Sequence, residues 1–121
     1  MTGKLEAFQV ERVGSALVVA PRGDSHGFRY DALHHEHAEL HNALLEPGVR
    51  HLVVDLGNVE FLGSLMLGVI IKLSRDVKEQ GGQVVLCSVS EPMQNILQAQ
   101  NLTSVWRQFA GRDEALQSLE G

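Results

Sequence analysis

Two short apolar runs constrain this chain more than anything else in it. HLVVDL (51–56) and QVVLCSV (83–89) are too short for stable helices, and neither alternates with polar residues. A strand without alternation is buried on both faces, which happens when helices cover both sides of a parallel sheet. Parallel neighbours need a crossover, and the intervening segment supplies one. Between about Ser64 and Gln80 the residues Met66, Val69, Ile70, Leu73 and Val77 share one helical stripe, and Gly81-Gly82 ends it.

The same logic extends outward. FQVERV (8–13) and ALVVA (16–20) flank Gly14-Ser15 and predict a hairpin. PRGDSHG (21–27) reads as loop. Asp31 to about Glu46 carries Leu33, Leu40 and Leu44 in a narrow arc and stops at Pro47-Gly48, so it predicts a helix. A third helix is expected from Ser90-Glu91-Pro92 to about Gln100, because proline is tolerated in a first turn. A last strand over Val105–Phe109 and a short helix over Asp113–Leu119 complete the reading. The expectation is an α/β fold in one domain over 1–121, with residues 1–6 poorly ordered. Its sheet is mixed and four- to five-stranded, opens with a β-hairpin and is covered by about four helices.

Composition narrows the partners. A formal charge of −5 with dispersed basic residues argues against nucleic acid, since phosphate neutralisation needs clustered Lys and Arg. The N-terminal stretch lacks an apolar core of the signal-peptide kind, and no run is long enough to span a bilayer, so a cytoplasmic protein is expected. The single cysteine, Cys87, lies inside an apolar run and reads as a core residue.

Catalytic signatures are missing. No G-x-S-x-G elbow, P-loop or G-x-G-x-x-G turn occurs, and Asp55 and Glu60 have no spacing that marks an acid–base pair. The run HHEHAELH puts His34, His37 and His41 within an arc of about 60° on a helix. His37 and His41 have the i, i+4 spacing of two zinc ligands, but two ligands leave a tetrahedron half empty. H-E-x-x-H also fails, because position 39 is Glu. No metal, cofactor or enzymatic activity is expected; the alternative is a small-ligand or metal sensor using loop 21–30 and His34, His37 and His41.

The segment VDLGNVEFLGSLMLGVIIKLSRDVKEQGG carries the functional signal. In it, Asp55-Leu56, Phe61, Ser64, Leu67-Gly68, Ile70 and Gly81-Gly82 fall in register with a strand ending in D-L, an apolar residue, D-S-S-G-L-G-x-[LI] and a helix closed by G-G. The chain thereby resembles the STAS domain family of anti-sigma factor antagonists. That resemblance implies a protein-binding module of bacterial signalling, whose partner is a serine kinase that usually doubles as an anti-sigma factor. It also implies that the motif serine, here Ser64, is the phosphorylated residue. This sequence departs from the pattern at Gly63, Leu65 and Met66, and PRGDSHG lacks the G-x-L-D of the family's corresponding loop.

Two readings of Ser64 stand side by side: a modified hydroxyl, or a hydroxyl that caps the helix. Leu65 is either an exposed partner anchor or a side chain tucked under the preceding loop. On a wheel it shares a side with Lys72, Asp76 and Glu79, and Gly68 would let a partner backbone approach. The candidate partner surface is therefore Leu62, Gly63, Ser64, Leu65, Gly68 and Lys72.

Overall fold

The computed structural model describes residues 7–22, 30–60 and 62–119. Its strands are β1 (Phe8–Val13), β2 (Ala16–Pro21), β3 (His51–Asp55), β4 (Val84–Cys87) and β5 (Arg107–Phe109). Its helices are α1 (Tyr30–Leu44), α2 (Ser64–Glu79), α3 (Glu91–Ala99) and α4 (Arg112–Ser118). They make a five-stranded sheet in the order β1-β2-β3-β4-β5. β1 pairs antiparallel with β2, and β2 through β5 run parallel. The hairpin closes at Val13↔Ala16, with Gly14 at φ +59, a conformation glycine adopts without a Cβ penalty.

The central strands are buried on both sides, and successive residues serve opposite layers. Leu17, Val19, Leu52, Val54, Val84 and Leu86 join the larger core with α1, α2 and α3. Ala16, Val18, Val53, Val85 and Cys87 face the smaller core, closed by Ala115 and Leu119 around α4. Burying each such aliphatic side chain contributes roughly 1.5–3 kcal/mol. Cys87 sits in the smaller core as expected, its thiol pushed up to about 11 chiefly by burial.

Boundaries differ from expectation by one or two residues at most element ends, and the last strand shows a physical reason. β5 begins at Arg107 because Val105 lies in the preceding turn, 40% exposed, while Trp106 turns inward and donates Nε1–H to Ser74 Oγ at 2.9 Å. Residues 1–6 and most of the loop 21–30 fall outside the described residues, as does Phe61. No described helix is long and apolar enough to cross a membrane.

Candidate functional site

The loop from β3 to α2 is anchored before it reaches the surface. Asp55, the last residue of β3, accepts the Gly57 N–H at 2.9 Å through Oδ1. Its Oδ2 accepts from Arg112 Nε and Nη2 at 3.0 and 2.8 Å, and Arg112 also reaches Glu11 at 3.0 Å. Asp55 is therefore occupied as a strut between β3 and α4. Leu56, Val59 and Leu62 then drop into the larger core, and Ser90 Oγ donates to the Glu60 carbonyl. The loop delivers the chain to the start of α2 at a fixed height above the sheet.

There the candidate residues separate. Leu62 is only 4% exposed and belongs to the core, so it is corrected out of the partner surface: it precedes the helix and points inward with the loop anchors. Gly63, Ser64 and Leu65 follow in the open, and Leu65 is 48% exposed. A tucked Leu65 is thereby excluded. The capping expectation for Ser64 is also corrected, because Gly63 is the N-cap (φ −73, ψ 169) and Ser64 is already the first helical residue. No side chain caps this helix and its first turn holds no acid. The leading N–H groups of a helix have no intrahelical partner, so this end is an uncompensated positive pole.

Below Ser64, one stripe of α2 faces α1 across a pocket of about 120 Å³. Ser64 at its mouth, Leu65, Gly68, Val69 and Lys72 line it from α2, and His34 and His37 line it from α1. Gly68 has no conformational reason to be glycine: it is absent from the positive-φ positions, and an added Cβ would meet nothing within 4 Å. A helix-interior glycine costs about 0.5–1 kcal/mol relative to alanine.

The histidines do not converge into a metal site. His41 Nδ1 lies 2.8 Å from Asp76 Oδ2 on α2, and His37 Nε2 lies 4.0 Å from the same oxygen. Nε2 of His37 is buried without a hydrogen-bond partner, and burial holds this imidazole below its ordinary pKa despite Asp76. Among the described residues no group of three His, Cys, Asp or Glu could hold a metal ion. The role of Asp76 was not legible in the sequence, where it stood on the solvated side of the wheel. Nothing in the sequence pattern pairs the two helices, so the contact emerges only in the fold.

A sixth imidazole is structural. His51, buried at the start of β3, accepts the Gln83 N–H through Nδ1 at 3.0 Å, and burial together with Arg50 lowers its pKa.

Comparison with known proteins agrees with this geometry. The STAS domain family pattern matches residues 7–115. The anti-sigma F factor antagonist of Paenibacillus polymyxa is 27% identical over 68% of this chain and 70% of its own. An anti-sigma-factor antagonist (STAS) domain protein from Planctomyces limnophilus superposes with a TM-score of 0.78 at 24% identity, covering 93% of this chain and 97% of that one. The Bacillus cell fate determinant SpoIIAA in its phosphorylated form gives 0.72 at 20% identity, covering 94% and 100%. With a family match spanning nearly all of the described residues, and the same sheet order and helix placement, this chain belongs to the STAS domain family.

Proposed function

We propose that this protein is a non-enzymatic regulatory module of the anti-sigma factor antagonist type, acting in the cytoplasm, and that it binds a serine-kinase or anti-sigma partner through the N-terminal end of α2. One observation carries the reading: Ser64 and Leu65 stand exposed side by side at an uncapped helix start, at the family's motif position. Ser64 is the modifiable hydroxyl. A phosphate on it would lie beside unpaired N–H groups and add about −1.5 to −2 charge next to Leu65, the apolar anchor. The charge would be tolerated by the helix and resisted by a partner that must desolvate it.

Three groups with catalytic chemistry are engaged in the fold, which supports the non-enzymatic reading. Cys87 is buried and protonated at neutral pH, Asp55 is held by Arg112, and His51 accepts a backbone N–H.

The test uses purified protein, ATP and the serine kinase encoded nearest its gene. Mass spectrometry is expected to find one phosphate, on Ser64. The kinase should bind Ser64→Glu at least tenfold more weakly than wild type, and Ser64→Ala as well as wild type. If Ser64 stays unmodified and both variants bind normally, the switch is refuted and the surface is a constitutive contact.

A further inference from the structure

The helical glycine at 68 serves neither the backbone nor the packing, yet a side chain there would occupy the pocket between α1 and α2. An opening kept clear at the expense of helix stability, directly beneath Ser64 and Leu65, calls for an occupant. We propose that this pocket receives one apolar side chain of the protein partner, and that a carboxylate adjacent to it in the partner's sequence pairs with Lys72. The proposal rests on the partner-binding reading above and names the chemistry that the partner brings.

Size sets the first requirement. A volume of about 120 Å³ is close to the ~150 Å³ cavity that accommodates benzene, so one branched aliphatic or aromatic side chain fills it. The walls formed by Leu65 and Val69 are apolar, which suits such a group.

Charge sets the second. Among the described residues the lining holds the cation Lys72 and no carboxylate. Asp76, the nearest acid on α2, is engaged by His41, and Lys72 forms no ion pair with a described residue. The protein as a whole carries −5, so an acidic partner segment is repelled over most of the surface and favoured here. Electrostatic complementarity of this kind fixes where a partner docks more than how tightly it binds.

The experiment is a selection of displayed random peptides on the purified protein. The expected consensus is an aliphatic or aromatic residue next to Asp or Glu. The selected peptide should bind Gly68→Met, which fills the pocket from a strain-free position, at least tenfold more weakly. Lys72→Gln should bind the acidic peptide and its Asn or Gln counterpart alike. Gly68→Ala, melting at or above the wild-type temperature, confirms that a side chain at 68 leaves the fold intact. A basic consensus, no consensus, or undiminished binding to Gly68→Met overturns the proposal. So does phenylacetate or inorganic phosphate binding as tightly as the peptide, which would mark a site for small anions. A kinase that binds wild type and Gly68→Met equally refutes the pocket and leaves the proposed function standing. Peptides that bind while no kinase does would refute that function and leave the pocket.

Discussion

The starts of α2 and α3 make an instructive pair. α3 opens with Ser90, whose hydroxyl accepts the Met93 N–H at 3.2 Å, followed by Glu91 and a proline in the first turn. α2 opens with Gly63, without a capping side chain and without an acid in its first turn. Both helices follow a parallel strand and both pack on the same core. The first is finished by its own residues; the second is left with its positive end open, an exposed leucine at its second position and a glycine one turn further in. Stability is forgone at α2, and only there does the chain carry the family's motif serine. The contrast separates residues that make the fold from residues that use it.

Substitutions at the two ends should therefore fail in different assays. Leu65→Asp is expected to have the largest effect, weakening partner binding by about 2 kcal/mol or more, the scale of an interface anchor. Its thermal melt should match wild type, because the side chain is already half in solvent; a collapsed melt would place Leu65 among the fold residues and break the comparison. Ser90→Ala should do the reverse. Losing a cap costs about 0.5–2 kcal/mol, and the bond to the Glu60 carbonyl goes with it, so chemical denaturation should show a clear loss of stability. The smallest effect belongs to Ser64→Ala. As the first helical residue rather than the cap, Ser64 should cost less than about 0.5 kcal/mol of stability. A loss near that of Ser90→Ala would show that its hydroxyl completes the helix after all.

Acid titration sharpens the same contrast on the fold side. Burial lowers the pKa of His51 and His37, so the unfolded chain takes up protons more readily than the native one. Their contribution is complete above the unfolded value near 6.5 and is lost as pH falls from there toward the depressed native values. Melting temperature should drop between pH 7 and 5, and His51→Gln should shallow that drop.

How much of this could be read in the sequence follows the same division. The sheet and its helices were legible because burial on both faces writes uninterrupted apolar runs at 51–56 and 83–89, and burial on one face writes the stripe from Met66 to Val77. Leu62 and Leu65 could not be told apart, since both are leucines flanking one helix start and Leu62 precedes the helix to which a wheel applies. The misplacement of the cap by one residue has the same origin. The pairing of His41 with Asp76 and of Trp106 with Ser74 joins elements 35 and 32 residues apart, and no local pattern records such contacts. The pocket above Gly68 exists only because α1 lies beside α2.

The bond from Trp106 to Ser74 has a practical corollary. The chain holds one tryptophan, its indole is buried, and its N–H is tied to the middle of α2. With excitation selective for tryptophan over Tyr30, emission therefore comes from a single emitter tied to the helix whose tip carries Ser64. A ligand that merely rests on the tip leaves the emission maximum where it was; one that tilts or slides α2 loosens the indole and moves the maximum to the red. The protein carries its own optical gauge for distinguishing rigid docking from a shift of the helix, with no label to attach.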